Sequence, residues 1–127
     1  AALAALLPDI PGLADAEPWT SREATTVADV PARLAILGGG VVACELATAF
    51  ASFGTRVTVI ARSGLLGPFE PFAGEAVAAA LRAAGVDVLL RTEVAAVRRE
   101  GDERVLVLRG EGQGDNGRAA RHHINYR

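Results

Sequence analysis

The chain has 127 residues, of which 50% are hydrophobic and 22% charged, with a formal net charge of -2 and a pI near 5.7. That length suits one domain around one core, in the composition range of ordinary globular proteins. The mildly acidic balance argues against non-specific nucleic-acid binding, and no apolar run reaches membrane-spanning length. The apolar segment from Ala1 to Leu7 has neither the basic flank nor the cleavage pattern of a signal peptide. A single cysteine, Cys44, has no internal disulfide partner, so a reducing cytoplasm is the expected compartment. The chain has no methionine, which suggests a piece of a longer protein, and no lysine, so that every basic side chain other than His is Arg.

In chain order, Pro8-Asp9-Ile10-Pro11-Gly12-Leu13 is a stiff extended-then-turn segment, because each Pro fixes its own φ and biases the residue before it. Thr20-Ser21-Arg22-Glu23 fits a capping box and predicts a short helix to about Ala28, with Trp19 as a packing anchor. The first strand is expected over Leu34–Leu37 and the first helix over Val41–Phe53, with Leu46, Ala47 and Phe50 on one face and Gly54 closing it. Arg56–Ala61 reads as a buried parallel strand, β-branched through Val57-Thr58-Val59-Ile60. A loop over Ser63–Phe72 leads to a second helix over about Gly74–Ala84, with Val77, Ala80, Leu81 and Ala84 on one side. Val86–Leu90 is the third strand, and Glu93–Arg99 with Arg104–Arg109 forms a hairpin. The expected fold is α/β: a Rossmann-like βαβαβ parallel sheet with an antiparallel hairpin or meander. Residues 1–33 read as a linker with a short helix, 34–110 as a nucleotide-binding domain, and 111–127 as a loop, a disordered tail or an incomplete closing strand.

The chemistry centres on Gly38-Gly39-Gly40-Val41-Val42-Ala43 at the first strand–helix junction, a Gly-x-Gly-x-x-Ala pattern. Gly38 permits a tight turn, Gly40 lets the backbone approach a pyrophosphate, and Ala43 keeps the helix close to the strand. The unpartnered N–H groups of the first helical turn and the helix dipole make an anion site there. A ligand-free glycine turn is the plainer reading, but strand, motif, amphipathic helix and second strand in this order favour a dinucleotide. At the end of the second strand a carboxylate would select the ribose 2′-OH of NADH; here Ala61 and Arg62 stand there, and an Arg can pair with the 2′-phosphate of NADPH. Cys44 reads as a small buried filler rather than a nucleophile. His122 and His123 read as surface residues rather than metal ligands.

Ile10-Pro11-Gly12-Leu13, Trp19-Thr20-Ser21, the glycine stretch ending Glu45-Leu46-Ala47, and Val57-Thr58-Val59-Ile60-Ala61-Arg62 keep their order and spacing over about Pro8–Gly110. Together they resemble the central pyridine-nucleotide domain of the FAD-dependent pyridine nucleotide-disulfide oxidoreductases. Within the family the resemblance leans to the mercuric reductases and next to the dihydrolipoyl dehydrogenases. It implies an oxidoreductase in which NADPH (or NADH) binds this domain and passes hydride to FAD held by a flanking domain, and a cysteine pair then reduces the substrate. It places Gly38, Gly39, Gly40, Val41, Val42, Ala43, Ala61 and Arg62 on the nucleotide and Glu45 near the nicotinamide. The plainer reading of Glu45 is a solvated first-turn carboxylate on the helix dipole.

The implied partners are the FAD-binding and dimerisation domains of a homodimeric parent enzyme. The redox cysteine pair, the flavin-binding glycine motif and the Ala-Thr-Gly-Arg closing strand of the family are not recognisable in this sequence. The chain alone is therefore expected to be catalytically inactive. A stand-alone nucleotide-sensing module is the competing reading. A third, the glycine loop as an FAD site, is disfavoured by the leader before it and by Ala61-Arg62.

Overall fold

The computed structural model describes residues 2–4, 11–12, 30, 32–66, 71–100, 103–110 and 121–125. Its frame is a parallel sheet of β1 (Ala2–Ala4), β2 (Arg33–Leu37), β3 (Arg56–Ile60) and β4 (Asp87–Leu89), hydrogen-bonded in that order. Leu34 pairs with Val57, Ile36 with Val59, and Val59 with Val88. Strands covered on both faces need apolar side chains at successive positions, which is why β2 and β3 read as continuous runs rather than alternations.

Alternate residues of those runs enter different cores. Leu34, Ile36, Val57, Val59 and Val88 meet two helices, α1 (Val41–Ser52) and α2 (Pro71–Ala83). On α1, Cys44, Ala47 and Phe50 are buried at three-residue spacing, and their small-small-large order lets the helix lie close over the strands. Both helices end in the same device. Gly54 and Gly85, at φ 91° and 90°, take the left-handed conformation just past each C-terminus. The N–H of Thr55 reaches Phe50 O at 3.1 Å and that of Val86 reaches Leu81 O at 3.0 Å, which is Schellman capping. Each turn delivers the chain directly into the next strand.

On the opposite face, Ala35, Ile60, Leu37 and Leu89 pack against an antiparallel sheet of β5 (Thr92–Glu100), β6 (Glu103–Gly110) and β7 (Arg121–Asn125). Val97, Leu106 and Leu108 of that sheet are buried in the second core. Its register slips between Val94 and Ala96, so that Ala95 is the extra residue of a bulge. The result is three layers: helices, parallel sheet, antiparallel sheet.

The expected α/β architecture is thus present, with four differences in detail. The second helix starts at Pro71, not near Gly74, because a Pro lacks only an N–H that the first turn leaves unbonded anyway. Its buried side is Gly74, Ala78 and Leu81 with Val77 half-buried, whereas Ala80 and Ala84 are exposed. Ala2–Ala4 adds a parallel strand beside β2, in register Ala2 to Ala35. Residues 121–125 are a strand pairing antiparallel with β6, with Arg104 opposite Ile124, and so belong to neither a loop nor the parallel sheet. The helix expected over residues 20–28 and the anchor role of Trp19 lie outside the described residues. No helix among the described residues is long and apolar enough to cross a membrane.

Candidate functional site

Where β2 runs out, Gly38 takes φ 124°, a conformation costly for any side chain, yet its N–H still bonds Ile60 O at 2.8 Å. The turn therefore begins while the sheet is still intact. Gly39 is enclosed: a Cβ there would lie 3.1 Å from Ala61 Cβ and 3.2 Å from Leu65 Cδ2. Its carbonyl accepts the Leu66 N–H at 2.7 Å and the Cys44 thiol at 3.9 Å, so the loop after β3 and the underside of α1 both hold the turn. Gly40 is the opposite case. A Cβ on it would meet nothing within 4 Å and would stand in open space.

Gly40 is also the N-cap of α1 and supplies no side-chain cap. The first helical bond is from Cys44 N–H to Gly40 O at 3.1 Å, so the N–H groups of Val41, Val42 and Ala43 precede the helical ladder. With the positive end of the helix dipole behind them, they suit an anion. The first turn contains no acidic residue, so the reading of Glu45 as a first-turn carboxylate is corrected: it sits one turn further on, exposed.

The carboxyl ends of β2 and β3 open into a cavity of about 740 Å³. It brings together Gly38, Gly39, Gly40, Ala61 and Arg62 of the sequence-predicted set, and leaves the side chains of Val41, Val42, Ala43 and Glu45 outside its lining. Val41 and Val42 are exposed at 61% and 50%, while Ala43 packs partly against the helix-side core. Three further lining residues, Thr92, Glu93 and Val94, come from the start of β5. They could not be found from motif spacing, because tertiary hydrogen bonds put them there. The Thr92 N–H bonds Ala61 O at 2.9 Å, and the Ala61 N–H bonds Leu89 O at 2.9 Å.

Among the described residues, two non-glycine residues take left-handed φ: Leu66 at 62°, which lines the cavity, and Arg91 at 49°, which directly precedes the lining residue Thr92. Such conformations are disfavoured for L-residues and persist where the surroundings over-determine them. Two of the lining hydroxyls donate within the protein: Thr92 Oγ1 to Leu90 O at 2.9 Å and Ser63 Oγ to Gly64 O at 3.3 Å. Among the described residues, the charged side chains of the lining are Arg62 and Glu93, both exposed. Beneath the turn, Cys44 is buried, and that burial pushes its thiol above the usual range. A buried thiol with a raised pKa is a packing group and not an activated nucleophile.

The arrangement can accept a phosphate-bearing ligand: a backbone donor cluster, a glycine without a side chain beside it, and a cation at the end of the next strand. Comparison with known proteins gives this geometry its context. A mercuric reductase of Acidithiobacillus ferrooxidans is 45% identical over 107 residues, covering 84% of this chain and 19% of that protein. A dihydrolipoyl dehydrogenase of Acholeplasma laidlawii is 38% identical over 95 residues, covering 71% of this chain and 28% of that protein. Among solved structures, the HOCl-induced flavoprotein disulfide reductase RclA of Escherichia coli, in its Cu(II) complex, superposes with a TM-score of 0.75 at 27% identity, covering 94% of this chain and 26% of that one. The chain spans roughly a fifth to a quarter of the length of these relatives. The profile described as pyridine nucleotide-disulphide oxidoreductase matches residues 3–120, and the chain belongs to that family.

Proposed function

We propose that this chain is the NADPH-binding domain of a flavin-dependent disulfide oxidoreductase of the mercuric reductase type. The observation that carries the reading is the pocket itself: an open Gly40 at an uncapped helix N-terminus shares it with Ala61-Arg62, which follow β3 directly and include no carboxylate. In this reading the N–H groups of Val41, Val42 and Ala43 donate to the pyrophosphate, and Gly38 and Gly40 give it room. Arg62 pairs with the adenosine 2′-phosphate. Glu45, outside the adenosine pocket, stands toward the nicotinamide half.

The chemistry that FAD supplies when bound is acceptance of hydride from the nicotinamide and its relay to a cysteine pair. Neither is a task for the residues described here, whose part is to bind and orient the dinucleotide. By the same reading, the FAD-binding and dimerisation domains of a homodimeric cytoplasmic parent are the partners of this domain, and the chain alone has no turnover.

Titration calorimetry of wild type and Arg62→Ala with NADPH and NADH tests the assignment. Wild type is expected to bind NADPH more tightly, and the substitution to weaken NADPH by about tenfold while changing NADH by less than about twofold, the scale of one charge-assisted phosphate contact at an exposed site. Equal losses for both nucleotides would overturn the 2′-phosphate role. A wild-type preference for NADH would instead favour the dihydrolipoyl dehydrogenase type, to which the chain is also similar.

A further inference from the structure

The loop after β3 contains one peptide group engaged at both ends, that between Leu65 and Leu66. Its N–H donates to Gly39 O at 2.7 Å, inside the glycine turn. Its oxygen lies against the backbone of α2, where a Cβ on Gly74 would overlap Leu65 O and stand 3.1 Å from Leu65 C. A peptide group is planar and rigid, so the two ends cannot move independently. Gly39 O belongs in turn to the Gly39–Gly40 peptide group, whose N–H points the opposite way and leads into the N-terminus of α1. Gly74 is therefore linked to the proposed phosphate donors through two peptide groups and one hydrogen bond.

The first of these groups is also held against its local preference. Its orientation is set by φ of Leu66, which at 62° is left-handed. Gly39 O on one side and α2 on the other maintain it, and the Leu65 side chain, 1% exposed in the helix-side core, fixes the loop in place. A side chain at position 74 would displace Leu65 O. The group would then turn toward an ordinary φ and withdraw the Leu66 N–H from Gly39 O.

We propose that Gly74 is a positioning residue of the nucleotide site: the bare backbone of α2 at this point sets the Leu65–Leu66 peptide group, and that group holds the glycine turn in its phosphate-binding form. The proposal rests on the nucleotide reading above and concerns the pyrophosphate, which NADPH and NADH share. Gly74 does not line the pocket, so a substitution there acts on a ligand only through the protein. If Gly74 were no more than a close helix–loop contact, Gly74→Ala would lower stability and leave the affinity of the folded protein unchanged.

The test is calorimetric titration of wild type, Gly74→Ala and Leu81→Val with NADPH and NADH, where circular dichroism shows each to be folded. Gly74→Ala is expected to weaken both nucleotides alike, by about tenfold, the scale of one hydrogen bond to a charged group. Leu81→Val, which removes one methylene from the buried side of the same helix, should leave both affinities within about twofold of wild type. Coupling is reciprocal, so saturating NADPH should slow hydrogen exchange through local opening of α2 at Glu75, Ala76 and Val77 of wild type by the same factor. That measurement decides the matter if Gly74→Ala does not fold. Unchanged affinity in folded Gly74→Ala, a loss confined to NADPH, an equal loss in Leu81→Val, or exchange in α2 indifferent to NADPH overturns the role of Gly74. Each of these leaves the nucleotide reading standing so long as NADPH binding responds to Arg62→Ala. Absence of NADPH binding by folded wild type removes that reading and this proposal with it.

Discussion

Replacing Gly40 by Ala separates what the glycine turn does for the fold from what it does for a ligand. The backbone at Gly40, φ -76° and ψ 179°, is open to any residue, and an added Cβ meets no protein atom within 4 Å. On the folding side two small effects oppose each other. Loss of unfolded-chain freedom on Gly→Ala stabilises by about 0.4–1 kcal/mol. Ala is a poorer N-cap than Gly, which costs a comparable amount, about 0.5–1 kcal/mol. The net change should lie within about 0.5 kcal/mol, or about 2 °C in Tm for a domain of this size. On the binding side the methyl stands where the pyrophosphate must approach the helix N–H groups. Losing one charge-assisted hydrogen bond, about 1.5–3 kcal/mol, corresponds to a 10–100-fold weaker Kd for NADPH. Thermal unfolding followed by circular dichroism, paired with calorimetric titration, reads both sides. An unchanged Kd with an unchanged Tm would refute the placement of the phosphates at this turn. A large fall in Tm would show that the open space assigned to Gly40 is not there.

Gly74→Ala should run against helix propensity. An interior Gly→Ala normally stabilises a helix by up to about 1 kcal/mol, but a Cβ here would overlap the carbonyl oxygen of Leu65, so a loss of about 1–3 kcal/mol is expected in a thermal melt; a gain would refute the contact. Phe50→Ala removes a ring that is 4% exposed between α1 and the sheet, and should cost about 3–5 kcal/mol in urea unfolding, a large part of a typical domain's stability. A cost below about 1 kcal/mol would mean that the helix-side core is not packed as described. Cys44 has its thiol pKa raised by burial, so the unfolded chain ionises first. Its contribution to stability is complete below the unfolded thiol pKa of about 8.5 and is lost as pH rises through the higher folded value. Stability of wild type should therefore decline more steeply than that of Cys44→Ala above about pH 8.5, and parallel profiles from urea midpoints would show the thiol to be solvated.

The elements legible in the sequence are those whose signals are local. Val57-Thr58-Val59-Ile60 marks a buried strand by its β-branched run, and Gly54 and Gly85 mark the ends of both helices because left-handed φ there suits glycine. Gly38 through Ala43 announced the turn and the helix start by spacing alone. From its helix propensity Gly74 looks like a boundary, so the sequence pattern puts the start of α2 too late; its actual role is to let a helix touch the backbone of the loop after β3. Likewise Ala80 and Ala84 fit an apolar stripe, but Ala carries too little hydrophobic surface to decide which way a helix turns. Leu81, at 4% exposed, decides it.

Composition, periodicity and turn chemistry were sufficient for the α/β class, the glycine turn, the arginine at the end of β3 and the resemblance to a nucleotide-binding domain. These depend on residues within a few positions of each other, and the backbone they require is dictated by sterics and hydrogen bonding that act locally. Tertiary structure alone decided the other wall of the pocket. Thr92 and Glu93 reach the site because the chain leaving β4 bonds back to Ala61, and pairing of that kind is set by which strands lie side by side. It also decided the place of residues 121–125, whose polar sequence carries no strand period of its own and which become a strand because β6 presents an unpaired edge.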